Sequence, residues 1–451
     1  MKLFNQLLNN EFNLFDKLSI ILFSLLPISI IIGNASININ ILLINLLFLI
    51  YCFKFKVWCW VKKDIFLYLI TLYIFLNLNS LYSYFILFKG QTPPIVLDWD
   101  NRIISFYNED FILKFYNNDG IRRSFLFIKF ILLVFAFSIL LKNNKILDSV
   151  QRNWLFIVVV VIFDVFYEKF TGQNILGHTS PDPSRIVSFF KDELVVGGLI
   201  LCFGFTSTTF IINNKKDNKS ILPIILMFLL VVLSIFITGE KSNFIKSILL
   251  FFIIIYFLKK NKDYINYKVL LIILSFLIIC FLILSDITRQ KYYETFLRIK
   301  VADTKTSILD KFQNIKYFSH YDTAIKIFIN YPITGIGNKN FRIECHKNKY
   351  FNEKINATNI RCATHPHQVH FEILSEQGII GYFLILYFLI WFSIKNIKIS
   401  LKNKNMYHLS NIGYLLIFFV PILPGGGVFS TFSGALFWII FALVNLNYEK
   451  K

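Results

Sequence analysis

The sequence predicts an all-α integral membrane protein with about twelve transmembrane helices and a large, mainly helical outer loop between the ninth and tenth. Three observations predict it. The 451 residues are 56% hydrophobic and only 16% charged, whereas soluble proteins carry about 25% charged residues. Apolar runs of roughly 17–22 residues recur along the chain, long enough to cross the hydrocarbon core. Finally, every second short connection between these runs is rich in lysine, which is the pattern of a positive-inside topology.

The spans are expected at 18–34, 36–53, 65–88, 124–141, 153–170, 192–212, 220–238, 243–258, 268–285, 378–395, 408–424 and 429–446. The first follows a polar N-terminus and lacks a small-residue cleavage site, so it reads as a retained span rather than a cleaved signal. The third carries Asn77, Asn79 and Ser80 near its middle. A broken helix and a continuous one both stand there. The seventh and eighth are joined by the tight turn Thr238-Gly239-Glu240-Lys241-Ser242-Asn243. The tenth begins at Gly378, directly after a cluster of polar side chains.

The basic connections hold Lys54, Lys56, Lys62 and Lys63, then Lys142, Lys145 and Arg152, then Lys215, Lys216 and Lys219. Lys259, Lys260, Lys262 and Lys268 follow, then Lys395, Lys398, Lys402 and Lys404, then Lys450 and Lys451. This alternation puts both termini in the cytoplasm and the segments 89–123, 171–191 and 286–377 outside. The formal net charge of +20 invites a nucleic-acid partner. Its distribution assigns it instead to orientation and to anionic membrane lipids. The organisation read from these patterns is a membrane domain over 1–285, an outer loop over 286–377 and three last helices over 378–451. An outer loop of that length between membrane helices suggests function.

Of six cysteines, Cys52, Cys59, Cys202 and Cys280 fall in or beside apolar spans and read as packing residues. Cys345 and Cys362 share the long outer loop. In an oxidising compartment they are expected to form a disulfide, contributing roughly 3 kcal/mol. It would tether the chain ahead of His365. A zinc site using His346, His365 or His367 is the alternative, but the spacing matches no zinc pattern.

The densest chemistry lies in His365-Pro366-His367-Gln368-Val369-His370-Phe371-Glu372. Pro366 suits the first turn of a helix and Gly378 its end. His367 would then sit near a helix N-terminus, where the dipole disfavours imidazolium and a neutral ring can act as a general base. The alternative is an interfacial helix whose histidines only hydrogen-bond. Arg185, outside the sixth span, offers a planar fork for phosphate oxygens. It could equally reach lipid headgroups, or pair with Asp192 or Glu193. Lys241 adds a cation in the turn, and Lys246 lies one helical turn further on. Arg289 adds another beyond the ninth span, followed by Lys291 and Arg298. Cations from several outer segments at one membrane face fit an anionic lipid head such as a polyprenyl diphosphate. Asp98-Trp99-Asp100 offers a competing site, since acids one residue apart can hold a divalent metal.

His367-Gln368, nine residues, then Gly378-Ile379-Ile380-Gly381 resembles the signature of the O-antigen ligase and polymerase superfamily. Arg185, followed after three intervening residues by Phe189 where the family has Leu, resembles its outer arginine motif. Glu240-Lys241 stands where members often have Ser-Arg or Glu-Arg; lysine keeps the charge but loses the bidentate fork. The resemblance implies a twelve-helix protein of the bacterial inner membrane. It implies metal-independent transfer of a glycan from an undecaprenyl-diphosphate carrier to an acceptor hydroxyl, with no cofactor. In that reading His367 is the base, Arg185 and Arg289 clamp the diphosphate, and Lys241 is secondary, as are His365, His370 and Gln368. The acceptor divides the family: lipid A core for a ligase, another lipid-linked repeat unit for a polymerase, protein for a third branch. The ligase reading is favoured here. A flippase or other transporter is the non-enzyme alternative, but such proteins show internal repeats and ionisable residues along a central path.

Overall fold

In the computed structural model, residues 12–88, 119–191, 193–214, 222–261, 316–353, 355 and 358–449 are described, with short pieces at 274–275 and 278–279. Among the described residues all regular structure is helical. The chain begins with α1 (Leu14–Ser24), which opens on a capping box between Asn13 and Asp16. Pro27 interrupts the ladder before α2 (Leu26–Ile32) can extend it. The next helices are α3 (Asn34–Phe55), α4 (Asp64–Tyr82), α5 (Asp119–Leu126), α6 (Ile128–Leu140) and α7 (Asn144–Thr171). A short α8 (Val196–Leu199) runs through a π-turn into α9 (Phe205–Asn214). They are followed by α10 (Leu222–Ile237), α11 (Lys241–Asn261), α12 (Lys316–Asn330) and α13 (Phe341–Glu344). The last three are α14 (Val369–Lys402), α15 (Met406–Phe418) and α16 (Phe432–Glu449).

Six helical stretches among the described residues are long and apolar enough to cross a membrane: Leu14–Ile32, Asn34–Phe55, Asp64–Leu87, Asp119–Leu140, Val196–Asn214 and Val369–Lys402. Leu226–Ile237 and Phe432–Leu446 are shorter apolar helices. Every expected span except the one at 268–285 falls on a described helix. That ninth span lies outside the described residues apart from its two short helical pieces. The segment 286–377, expected to be mainly helical, carries α12 and α13 among its described residues.

The core runs between α6 and α16, which pack together, with α3 against α6 and α15 against α16, α11 and α9. Residues Phe130–Phe137 of α6 are buried at all but one position, as is the whole run Ala435–Leu446 of α16. A helix that is apolar on every side belongs in the interior of a bundle. Trp438 seats there against Phe127, Phe130 and Phe441.

The third span is not broken at its polar residues. Asn77, Asn79 and Ser80 stay helical because each finds partners across the bundle. The Asn77 amide donates to Tyr73 O and Ser124 O, and Ser80 and Ser124 share a hydroxyl bond of 2.7 Å. The irregularity comes later, as a π-turn over Ser83–Leu87.

The two ends of the bundle differ in chemistry. At one end Lys62 and Lys63 meet Lys395 around a common cavity. At the other end lie the turn 238–240, bonded to Ile186 through Thr238 O, and the α15–α16 connection, which meets both Ser242 and His367.

Candidate functional site

The histidine segment departs from the expected helix at its start. Helix α14 begins at Val369, with Gln368 as its N-cap. The Gln368 side chain accepts from His370 N at 2.7 Å and Phe371 N at 3.0 Å. Pro366 therefore precedes the helix rather than opening it. His367 has a left-handed backbone (φ 58°) that no helix can continue. Its carbonyl takes the Gly425 N–H at 2.7 Å. The Gln368 side chain thus caps the helix that follows.

His367 is the centre of a ring cluster. Its imidazole lies 4.4 Å from His365, 5.3 Å from His320 and 5.4 Å from Tyr317, centroid to centroid. The last two come from α12, which the sequence did not single out. His320 is held by Arg361 O, at 2.9 Å from Nδ1. His370 is directed elsewhere. Its Nδ1 pairs with the Tyr382 hydroxyl at 3.1 Å and its Nε2 with Phe419 O at 2.7 Å. Of the three histidines in the segment, the structure joins His365 to His367 and separates His370.

Behind the rings lies a buried ion pair. Lys339 Nζ meets Glu372 Oε1 at 2.5 Å, and both side chains are about 2% exposed. Glu372 Oε2 has no hydrogen-bond partner. It faces Gly427, where a Cβ would come within 2.6 Å of the carboxylate carbon. Burial holds the His365 imidazole far below its ordinary range, at about 4, against the pull of Glu372 and with the push of Lys339. His365 is thus a neutral ring at neutral pH.

The placement of Lys339 follows from the motif glycines. Gly378 breaks α14 with φ 62° and ψ −168°, a conformation that L residues scarcely adopt. The loop 332–337 fills the break. Ile336 N donates to Ser375 O at 3.0 Å and Gly337 N to Glu376 O at 2.8 Å; Ile379 N donates to Pro332 O at 2.8 Å. Every backbone group freed by the kink in these pairs is thereby satisfied. Asn79 of α4 joins the same knot, donating to Thr334 O and to Gln377 Oε1, each at 2.9 Å. Glu376 then accepts from Lys339 N at 2.9 Å.

A second group of residues forms beside the first. Arg185 lies in the loop after α7, its Nη2 donating to Leu194 O at 2.9 Å, while its buried Nε has no partner. Its acidic neighbour is Glu240. Burial pushes the Glu240 carboxyl up, and the Arg185 charge acts in the opposite direction. Glu240 also accepts from Gly197 N at 2.7 Å, at the start of α8. The loop is held from below by two buried acids of α7. Asp164 accepts from the Ser188 hydroxyl and Glu168 from Ser188 N, each at 2.6 Å. Lys241 opens α11 at the rim, half-buried, and Lys246 lies one turn further in, buried.

The connection Pro421–Phe432 bridges the two groups. The Ser242 hydroxyl donates to Pro424 O. Lys246 Nζ lies 3.0 Å from where a Gly425 Cβ would stand, and Gly425 N binds His367 O. The Tyr321 hydroxyl of α12 reaches Ile422 O at 3.1 Å. Nothing in the glycine run Gly425-Gly426-Gly427 announced this role in the sequence, although three glycines between two apolar spans mark a close backbone approach.

Arg289, Asp98, Asp100 and Cys280 lie outside the described residues. Cys345 and Cys362 are joined in a disulfide with Cα atoms 5.4 Å apart, within the usual range. Among the described residues, Cys345, His346 and Cys362 come close enough to suggest a metal site, but the disulfide occupies both sulfurs. The bridge packs on a small apolar cluster with Phe341 and Tyr350. Arg361, next to it, is the residue that holds His320.

The fold and site together define a helical, membrane-type bundle with a histidine- and cation-lined polar site at one end. Residues 194–386 match the family model described as O-antigen ligase. Over that segment the chain resembles the O-antigen ligase and polymerase superfamily, in line with its histidine-to-glycine motif. The matched segment runs from just before α8 into α14 and holds Lys241, His365, His367 and both motif glycines. Arg185 lies shortly before it. No curated protein matches the chain.

Proposed function

We propose that this protein transfers a glycan from an undecaprenyl-diphosphate carrier to an acceptor hydroxyl, most simply on lipid A core, at the outer face of the bacterial inner membrane. The observation that carries the reading is the α15–α16 connection, which links the His365–His367 pair to the side bearing Lys246 and, through Ser242 and the 238–240 turn, Arg185. An acid–base group and anion-binding groups on one membrane face suit a substrate whose leaving group is a diphosphate. In the proposed step His367 takes the proton of the acceptor hydroxyl as its oxygen bonds to the anomeric carbon. The bond from that carbon to the diphosphate breaks. Arg185, Lys241 and Arg289 hold the charge that develops on the departing diphosphate. The unpartnered Nε of Arg185 is suited to a phosphate oxygen. His365 is a neutral neighbour, and His370 supports the helix from outside the site.

The test is transfer in purified membranes. His367→Asn keeps a residue that tolerates the left-handed backbone, so lost activity can be separated from lost folding. It should cut transfer by roughly 10²-fold or more while leaving donor binding intact. Arg185→Lys should weaken donor binding, because a point charge cannot replace the fork. Transfer should survive chelation with EDTA. Near-full activity of His367→Asn would remove the histidine from the chemistry. Loss with EDTA and recovery with magnesium would move the site to Asp98 and Asp100. The acceptor is read from a deletion strain. Lipid A without repeats fits a ligase, and single repeats on lipid A fit a polymerase.

A further inference from the structure

We infer that the end of the bundle opposite His367 carries a headgroup site for an anionic phospholipid, in a cavity between α4 and α14. The cavity has a volume of about 310 Å³. Lys62, Lys63 and Lys395 line it, with Asp64, Trp391 and Asn396. Lysines outnumber acids along its wall. Lys395 Nζ is set 4.9 Å from the centre of the Trp391 ring, an indole of the kind that favours the membrane interface.

Asn396 makes the site more than a charged rim. It is fully buried, and its Nδ2 donates to Phe392 O at 2.8 Å. Its Oδ1 has no partner. A buried amide oxygen without a donor is costly, and lysine charge alone does not explain its presence on the cavity wall. The complement is a ligand that brings a phosphate for the ammonium groups and a hydroxyl for the amide oxygen. A glycerol phosphodiester has both. A soluble glycerol phosphate shares that chemistry. The lipid is favoured because the same two helices carry exposed Leu67, Ile390 and Ile394, an apolar surface for acyl chains. The site belongs to neither polar group near His367. It stands or falls independently of glycan transfer.

The test uses the full-length protein in detergent and native mass spectrometry. Phosphatidylglycerol, phosphatidylmethanol and phosphatidylcholine are added in turn, and retained lipid is counted. Phosphatidylglycerol should be retained best. Phosphatidylmethanol has the same charge without the hydroxyls and should fall between it and phosphatidylcholine. Lys63→Gln/Lys395→Gln should reduce phosphatidylglycerol retention by about tenfold or more. Lys142→Gln/Lys145→Gln, which leaves this cavity intact, should not. Equal loss in both double variants, or none in either, would overturn the site. Equal retention of phosphatidylglycerol and phosphatidylmethanol would remove Asn396 from it. Full displacement of the lipid by millimolar glycerol phosphate would make it a site for a soluble phosphate and overturn the lipid assignment.

Discussion

Glu372 and Lys339 show how much one buried pair can determine. Both are withdrawn from solvent and meet in one ion pair. Removing one partner of such a pair leaves an uncompensated buried charge, at a cost of about 3–5 kcal/mol. Glu372→Gln should therefore lower the melting temperature sharply in detergent, and Lys339→Met/Glu372→Gln should recover much of the loss. No recovery in the double variant would show that the two do not act as a pair. His365 supplies a pH test. Its folded value, about 4, lies below the ordinary value of about 6.5. Between these the unfolded chain binds a proton that the folded chain does not, so stability falls as pH drops through that window. His365→Asn should lose less stability than the wild type between about pH 7 and pH 5. Equal pH slopes would show that His365 does not titrate this way. Glu372 and Glu376 were both visible in the sequence, but only the fold reveals that one meets a lysine 33 residues away and the other caps a loop.

At the scale of elements, the break in α14 organises the segment ahead of Lys339. Gly378 is the first glycine of the signature, and the loop 332–337 depends on it for its backbone partners. A Cβ there would stand 2.6 Å from Gly335 N, on top of a backbone conformation costing about 1–3 kcal/mol for a non-glycine residue. Gly378→Ala should therefore destabilise the protein and loosen the Lys339 loop, read as faster hydrogen exchange at 333–341. Unchanged exchange in that segment would separate the kink from the loop. The second motif glycine has a different task. Gly381 makes room for Phe75 of α4, whose ring would lie 2.8 Å from an added Cβ. One motif thus serves both a loop insertion and a helix contact.

At the scale of the whole molecule, Lys62, Lys63 and Lys395 lie at the end of the bundle away from His367. Reporter fusions at Lys260 and Lys349 should report opposite compartments, the first cytoplasmic and the second outside. A common compartment would refute the topology. The disulfide should make Cys345 and Cys362 resist alkylation in intact membranes until a reductant is added. Ready labelling without reduction would show that the bridge is absent there.

Helical class, the windows of the apolar helices and the signature around His367 were determined by the sequence itself, because each is local. Span length follows from an apolar run, and the motif from residues within one short segment. Helix α14 starts three residues later than Pro366 predicts because a left-handed His367 and a capping glutamine side chain outweigh the proline. The sequence leaves a break open at Asn77, Asn79 and Ser80 because their partners lie on α5, the 332–337 loop and α14. Only the tertiary structure decided that His320, Lys339 and the run Gly425–Gly427 belong with His367, and that His370 does not. Those assignments depend on contacts between segments more than 30 residues apart, such as Lys339 with Glu372, His320 with Arg361 and His365 with Gly425. No local pattern encodes such contacts. They arise when buried polar groups must find partners inside a packed bundle.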